Sequence, residues 1–270
     1  MSIEEKLEAA LSAVKAKSPL VHHLTNYVTV NDCANIVLAI GASPVMADDI
    51  AEVEEMVSIA SALVLNIGTL NARTIESMLA AGKRAKSLGI PVILDPVGVG
   101  ATILRTKTAE QIIKEVQPTV IRGNMSEIKV LAGLDVTTKG VDSTASAENA
   151  EEIAKKLASD WNCVIAITGK TDIVSDGRQV YRIDNGHPIL SDVTGTGCMS
   201  TSLIGSYCGA NQDYLTATVA GLVSMGLAGE LAQKSLTPQE GVGTFRMRLF
   251  DNIYNLAPES LAKGSKVSCE

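Results

Sequence analysis

Residues 62–95, ALVLNIGTLNARTIESMLAAGKRAKSLGIPVILD, contain one complete strand–helix–strand unit. Two short aliphatic runs, at 62–67 and 91–95, flank a stretch with helical spacing at 74–88. Aliphatic runs of this length are typical of strands buried on both faces of a parallel sheet. The unit therefore predicts a right-handed crossover between two parallel strands.

The same alternation continues along the chain. Asp176-Gly177 separates two short runs, and because Asp-Gly favours tight hairpin turns, these runs are predicted to pair antiparallel. The chain from Cys198 onward is rich in helical patterns. We therefore predict one three-layer α/β/α domain over residues 1–270, with a mostly parallel central sheet. The other predicted elements are strands at 119–122, 164–168, 172–175 and 179–183 and helices at 109–116 and 147–158.

Composition narrows the classes of function. The chain is 46% hydrophobic and 20% charged, which is enough apolar material for one large core. Its formal net charge is −7 and it has no basic cluster, so we expect no nucleic-acid partner. The N-terminal segment is amphipathic rather than a signal peptide, and no run of about 18 apolar residues occurs. These features predict a cytoplasmic protein without a membrane segment.

Polar residues follow several predicted strands at the point where each strand ends. Asn66, Asp95, Arg122 and Thr168 all occupy such positions. Ligands of open α/β sheets bind outside the carboxyl ends of the strands. We therefore expect the functional site at this edge of the sheet. His22 and His23 also lie at a strand end, but neighbouring strand residues face opposite ways, so at most one of them faces a site.

Residues 192–198, DVTGTGC, precede an apolar helical stretch and form the strongest motif. Gly195 and Gly197, on either side of Thr196, leave backbone N–H groups uncovered at the start of a helix. Together with the helix dipole, these groups suit an anion such as a phosphate. Taken alone, the motif also fits a plain tight turn with a helix cap.

Two common phosphate-binding motifs are excluded. Residues 169–171, GKT, match the end of a P-loop, but that motif requires a glycine where this chain has Val164. Residues 98–100, GVG, lack the third glycine of a dinucleotide-binding motif, because position 103 is Ile103.

A second motif, Asn124-Met125-Ser126-Glu127, follows the predicted strand that ends at Arg122. An Asn and a Glu three residues apart at a helix start also form a capping box, and that interpretation remains open. With Asp95, Glu127 gives two carboxylates at neighbouring strand ends. Such a pair beside a phosphate site would attract Mg²⁺, mostly through its bound waters.

In combination, these motifs resemble the ribokinase-like superfamily of small-molecule kinases and, within it, the hydroxyethylthiazole kinase family of thiamine salvage. The resemblance covers most of the chain. It is carried by PLVHHLTN (19–26), GASPVMA (41–47), LNIGT (65–69), VILDPVGVG (92–100), IRGN (121–124), KGVD (139–142), AITG (166–169) and VTGTGC (193–198).

The resemblance implies phosphorylation by ATP, with Mg²⁺, of the hydroxyl of 4-methyl-5-(2-hydroxyethyl)thiazole. It also implies a homotrimer whose sites lie between subunits. Gly195, Thr196 and Gly197 would surround the transferring phosphoryl group. The other implied roles are ATP binding by Arg122, Thr168 and Asn124, thiazole binding by Met46, Asn26, Val28 and Gly195, and Mg²⁺ binding by Asp95 and Glu127.

Cys198 departs from the wider superfamily, which usually has Asp, the presumed base for the substrate hydroxyl, at this position. A cysteine here supports the narrower resemblance. A thiol at a helix N-terminus is expected to have a lowered pKa. Whether Cys198 is a catalytic base or only lines the site stays open at this point.

Three other functions share parts of this pattern. A related kinase would act on a hydroxymethylpyrimidine or on pyridoxal. An ATP- or ADP-dependent dehydratase on the same fold would release a dehydrated product and no phosphorylated acceptor. A nucleotide-binding protein without catalysis would not need Arg122 and two carboxylates at the γ-phosphate.

Overall fold

The computed structural model describes residues 1–134 and 143–269. The stretch 139–142, which contributes to the family resemblance, lies outside the described residues. Within the described ranges, the strands form one nine-stranded sheet in the order β2-β1-β3-β4-β5-β6-β7-β8-β9. The strands are β1 Leu20–Leu24, β2 Ser43–Val45, β3 Ala62–Asn66, β4 Val92–Asp95, β5 Val120–Asn124, β6 Val164–Thr168, β7 Asp172–Ser175, β8 Val180–Ile183 and β9 Val267–Cys269.

Helices connect most of these strands and make up most of the chain after β8. One 3₁₀ helix, Pro188–Asp192, leads into the glycine motif. The α-helices are α1 Ile3–Lys17, α2 Val30–Ile40, α3 Val53–Ile59, α4 Ala72–Leu88, α5 Ile103–Val116, α6 Met125–Leu131, α7 Ser143–Trp161, α8 Thr196–Ala210, α9 Tyr214–Lys234, α10 Val242–Tyr254 and α11 Pro258–Gly264.

The first six strands are parallel, and the last three add to the sheet antiparallel. This arrangement confirms the mostly parallel sheet and the predicted hairpin of β7 and β8. The register determines which strand ends meet: Asn66 pairs with Asp95, and Asn124 pairs with Thr168. The polar strand ends therefore lie side by side along one edge of the sheet.

Two separate apolar cores cover the two faces of the sheet. Val64 and Ile93 point into one core with residues of α8 and α9, whereas Leu63 and Leu94 point into the other with residues of α4 and α5. Alternation along each strand produces this division, because successive side chains face opposite sides. The three-layer α/β/α architecture is thereby confirmed.

Element boundaries differ from the prediction at a few places. α5 begins at Ile103, six residues before the predicted start at 109, and the hydroxyl of Thr102 caps it by accepting from the N–H of Arg105 at 3.3 Å. Strands β2 and β9 were not predicted. Each has only three residues and lies at an edge of the sheet, where a periodic pattern is too short to detect.

Helix α9 is an exception to the expectation that the chain has no long apolar stretch. Its 21 residues have a mean hydropathy of 1.4 over an 18-residue window, which is long and apolar enough to cross a membrane by length and composition alone. However, 89% of that window is buried inside the protein. The helix packs against α8 and α10, as the core helix of a globular protein does.

Candidate active site

The start of α8 forms the centre of the site. Gly195 is its N-cap and has a φ of +87°, a left-handed conformation that favours glycine. A side chain at Gly195 would also collide with Thr29, whose Cγ2 lies 2.6 Å from an ideal Cβ position. Glycine is therefore required here for both backbone conformation and space. The first N–H groups of α8 have no intrahelical acceptor, so they are available to an anion.

The two residues that follow Gly195 have different roles. The hydroxyl of Thr196 donates to the carbonyl of Leu190 at 2.9 Å, which ties α8 to the preceding 3₁₀ helix. Gly197 has helical backbone angles, but an added Cβ would stand 2.8 Å from Nη1 of Arg122. Any side chain at position 197 would collide with this guanidinium group, which explains the glycine.

Arg122 connects the glycine motif with two neighbouring strand ends. Its Nη2 donates to the hydroxyl of Thr168 at 2.7 Å, and its Nη1 lies 3.8 Å from Oδ1 of Asp95. Its buried Nε has no hydrogen-bond partner among the described residues. A guanidinium beside an open helix N-terminus suits a phosphate group.

A cavity of about 780 Å³ opens beside Arg122. Arg122, Thr168 and Gly197 contribute to its lining, together with the segment before the 3₁₀ helix and apolar side chains of α9. Its size is within the range of small-molecule sites, which combine apolar walls with a few polar groups. Asn185 and His187 belong to that segment, and Leu222 and Met225 are the apolar side chains of α9.

Asp95 lies at the end of β4 and is fully buried. Its Oδ2 accepts hydrogen bonds from Asn66 Nδ2 at 2.9 Å and from the hydroxyl of Thr201 at 2.8 Å. Its Oδ1 has no hydrogen-bond partner among the described residues. Burial raises the pKa of Asp95 to about 6, although the charge of Arg122 acts in the opposite direction.

Asn124 and Glu127 form the capping box that remained open at the level of sequence. Asn124 Oδ1 accepts from the N–H of Glu127 at 2.9 Å, and Glu127 Oε2 accepts from the N–H of Asn124 at 2.8 Å. Glu127 Oε1 accepts from the N–H of Gly98 at 2.9 Å. Both oxygens of Glu127 are thus held by backbone groups.

The described residues contain no cluster of three or more side chains able to enclose a metal ion. Asp95 and Glu127 are nevertheless close enough that the charge of Glu127 contributes to the raised pKa of Asp95. Oδ1 of Asp95 is buried and accepts no hydrogen bond from the described residues. This donor set fits a Mg²⁺ ion that keeps most of its waters, and it does not fit a closed protein cage.

Cys198 is half-buried at the start of α8. Its Sγ accepts from Asn66 Nδ2 at 3.2 Å and from Asn26 Nδ2 at 3.4 Å. Burial, followed by the negative charge of Asp95, raises the pKa of the Cys198 thiol. The expectation of a lowered pKa is therefore wrong, because loss of solvation outweighs the stabilising hydrogen bonds from the amide donors. Cys198 is a neutral thiol at neutral pH.

Three of the four predicted thiazole-binding residues, Asn26, Val28 and Met46, follow the carboxyl ends of β1 and β2, and the fourth, Gly195, caps α8. Asn26 is buried, and its Oδ1 accepts from the N–H and the hydroxyl of Thr29 at 3.0 and 3.1 Å. Met46 is half-buried directly after β2, whereas Val28 is 61% exposed. Asn26 therefore belongs to the hydrogen-bonded site around Cys198, while the roles of Met46 and Val28 remain predictions.

The two neighbouring histidines are buried and hydrogen-bonded. His22 Nε2 lies 2.6 Å from the carbonyl oxygen of Ala47, the residue after Met46. His23 contacts the carbonyl oxygen of Val21 and the hydroxyl of Ser202, both at 3.1 Å. Burial lowers the pKa of His23 to about 4.

The structure adds three residues that the sequence analysis did not assign to the site. Asn66 joins Asp95 to Cys198, and Thr201 supports Asp95 from α8. Arg105 donates to the carbonyls of Ile67, Gly68 and Val97, at 2.9, 2.7 and 2.6 Å, and so links the loops after β3 and β4. Of the three, only Asn66 had a detectable sequence feature, as a polar residue at the end of an aliphatic strand.

The chain is similar to known proteins over nearly its whole length. Residues 11–259 match the model of the hydroxyethylthiazole kinase family. The hydroxyethylthiazole kinase of Alkaliphilus oremlandii is 56% identical over 268 residues, covering 99% of both chains. The structure of hydroxyethylthiazole kinase from Pyrococcus horikoshii aligns with a TM-score of 0.90 and 38% identity, over 98% of this chain and 99% of that one.

A more distant solved structure shares only the fold. The pyridoxal kinase of Staphylococcus aureus, in complex with AMP-PCP and pyridoxal, aligns with a TM-score of 0.57 and 16% identity. The alignment covers 77% of this chain and 86% of that one. The three-layer architecture is therefore shared with kinases of other small molecules.

Proposed function

The chain belongs to the hydroxyethylthiazole kinase family, and from this membership we propose that it transfers the γ-phosphoryl group of ATP to 4-methyl-5-(2-hydroxyethyl)thiazole. The bond between the γ-phosphorus and the β,γ-bridging oxygen breaks, and the alcohol oxygen forms a new bond to phosphorus. The products are ADP, the thiazole phosphate ester for thiamine salvage, and the proton of the hydroxyl.

One structural observation supports the site of transfer most directly. The guanidinium of Arg122 lies against Gly197 at the open start of α8 and beside the large cavity. Phosphoryl transfer depends mainly on positioning and on stabilising charge at the phosphoryl oxygens. Arg122, Thr168 and the first N–H groups of α8 provide such donors, and we assign ATP binding to them together with Asn124.

The acceptor alcohol is proposed to bind on the side of Cys198. Asn26, Met46 and Val28 follow the neighbouring strands β1 and β2, and Gly195 lies against Thr29. Because the Cys198 thiol is neutral, it avoids repulsion with the γ-phosphate. We propose that it orients the hydroxyl and is not a strong base.

Mg²⁺ is the proposed metal cofactor. Asp95 and Glu127 would hold it through its waters, and when bound it would neutralise charge on the phosphates of ATP. Oδ1 of Asp95 accepts no hydrogen bond from the described residues, which supports this role. Both oxygens of Glu127 accept backbone N–H groups, so its contribution is expected to be electrostatic and through water.

A substrate panel tests the proposed function. ADP formation is measured with the thiazole alcohol, with 4-methyl-5-ethylthiazole, which lacks the hydroxyl, and with hydroxymethylpyrimidine and pyridoxal. We expect ADP formation only with the thiazole alcohol. Preferred turnover of the pyrimidine or pyridoxal would assign the chain to a different acceptor. Equal turnover without any acceptor would contradict a kinase function.

We further propose one domain that acts in the cytoplasm as a homotrimer with sites between subunits. The single sheet of the described residues supports one domain. Tyr27 and Val28 support a subunit contact, because they are 77% and 61% exposed directly after the buried Asn26. Light scattering over a dilution series, compared with specific activity, tests the assembly. A fully active monomer would contradict it.

A further inference from the structure

We infer that Asn66 is a positioning residue of the transfer site, where its side-chain amide holds residue 198 next to Asp95. The inference rests on the proposed function and adds a residue outside the assigned set. Asn66 is the last residue of β3, and its side chain is 1% exposed. Its four hydrogen bonds connect three strand ends with the start of α8.

The orientation of the Asn66 amide is determined by its partners. Oδ1 accepts from the backbone N–H of Gly68 at 2.9 Å and from Asn26 Nδ2 at 3.0 Å. A backbone N–H can only donate, so the oxygen of the amide must face Gly68. The nitrogen therefore faces Asp95 Oδ2 at 2.9 Å and Cys198 Sγ at 3.2 Å. Every donor and acceptor of the amide is used.

The sulfur of Cys198 consequently lies against two amide donors, since Asn26 Nδ2 is also 3.4 Å from it. Most side-chain hydrogen bonds in proteins go to backbone groups or water. Here both N–H groups of Asn66 bind side chains of the site. A thiol sulfur is a weak acceptor, whereas a carboxylate accepts N–H groups strongly. The two amides therefore suit an acceptor at position 198 and would hold a carboxylate more firmly than a thiol.

This arrangement predicts an order of effects. Asn66→Ala should lower kcat most in a Cys198→Asp background, less in the wild-type background and least in a Cys198→Ala background. Hydrogen bonds to charged groups are about twice as strong as neutral ones. The fold-loss of kcat caused by Asn66→Ala should therefore differ by roughly threefold to tenfold between one background and the next. Asp95 is present in all three backgrounds, so a loss that arises through Asp95 alone would not produce this order.

The experiment measures kcat and the KM for the thiazole alcohol in six proteins, with and without Asn66→Ala in each background. Asn71→Ala is the matched control, because Asn71 caps α4 through the N–H of Thr74 at 3.1 Å on an exposed surface. Its effect should be equal in all three backgrounds. If Asn66→Ala is insoluble, Asn66→Ser carries the same comparison, since its hydroxyl is too short to reach both partners.

Melting temperatures of the same proteins give a measurement that does not depend on activity. The decrease caused by Asn66→Ala should follow the same order of backgrounds. Equal losses of kcat and equal decreases in melting temperature would overturn the inference and leave Asn66 with a structural role. If the wild-type protein forms no thiazole phosphate, the proposed function fails, and the melting temperatures still decide the role of Asn66.

Discussion

The guanidinium of Arg122 lies against the backbone of Gly197, and a methyl group added to Gly197 would stand 2.8 Å from its Nη1. The contact joins the end of β5 to the start of α8. It places a positive side chain where the N–H groups of the helix are open to an anion. A side chain at position 197 would therefore have to displace the guanidinium group.

Gly197→Ala should displace Arg122 and lower kcat/KM by about 100-fold, because a shift of about 1 Å at a reacting centre has effects of this size. Gly243→Ala in α10 is the matched control, since an added Cβ there meets no atom within 4 Å. Steady-state kinetics and melting temperatures are measured for both. Unchanged kinetics in a folded Gly197→Ala protein would show that the contact has no role in transfer.

Arg105→Ala should destabilise the protein by about 2–3 kcal/mol, because three backbone carbonyls lose a charged donor. It should also lower kcat, since the loops after β3 and β4 carry Gly68 and Gly98, which hold Asn66 and Glu127. Urea unfolding and turnover are compared with Arg178→Ala, an exposed arginine in the β7–β8 turn. Equal stability of the two variants would refute the prediction.

The fold could be predicted from the sequence because the pattern that determines it is local. Aliphatic runs of four to six residues, separated by helical patterns, predict a parallel sheet, and β3, β4 and β6 lie within one residue of their predicted positions. The short edge strands β2 and β9 have no such pattern. Their formation depends on pairing with β1 and β8, which is a tertiary effect.

Site residues are easiest to predict from sequence where a residue type has a restricted use. Gly195 and Gly197 are required by backbone conformation and close contact, and they were found from sequence. Arg105 could not be found, because its three acceptors are backbone carbonyls that any sequence provides. The pKa of Cys198 was predicted in the wrong direction, because burial beside Asp95 depends on the assembled structure.

The stability of the folded protein should depend on pH through His23. Its pKa is about 4 in the folded protein and about 6.5 in the unfolded chain, so between these values the unfolded chain binds more protons. The contribution of the neutral, buried His23 to the free energy of unfolding is therefore fully present above about pH 6.5. It is lost as the pH falls towards 4, because the unfolded chain then binds a proton that the folded protein does not, and the loss is about 3 kcal/mol in total. The raised pKa values of Asp95 and Asp172, both about 6, act in the opposite direction.

Comparison with His23→Gln separates these contributions, because the two carboxyl groups are present in both proteins. Urea unfolding is measured from about pH 7 to about pH 4. The stability of the wild type relative to the variant should decrease as the pH falls. Parallel profiles for the two proteins would exclude His23 as the source.

Cys198 should assist transfer without being indispensable. Cys198→Asp should be at least as active as the wild type, because the carboxylate accepts the same two amide donors and can take the proton of the hydroxyl. Cys198→Ala should be clearly less active but above background. Turnover at saturating Mg-ATP measures this order. An inactive, folded Cys198→Asp protein, or alkylation of the thiol by substrate, would indicate covalent catalysis instead.

The central claim is that the γ-phosphorus of ATP is transferred to a thiazole alcohol. Phosphorus NMR of a mixture of protein, Mg-ATP and the thiazole alcohol tests it most directly, because the ester, ADP and inorganic phosphate give separate resonances. We predict a phosphomonoester resonance that grows in equal amount with ADP, and strongly reduced signals with Arg122→Ala. Formation of ADP and inorganic phosphate without an ester would contradict the account, since it would show that the protein hydrolyses ATP and does not phosphorylate the alcohol.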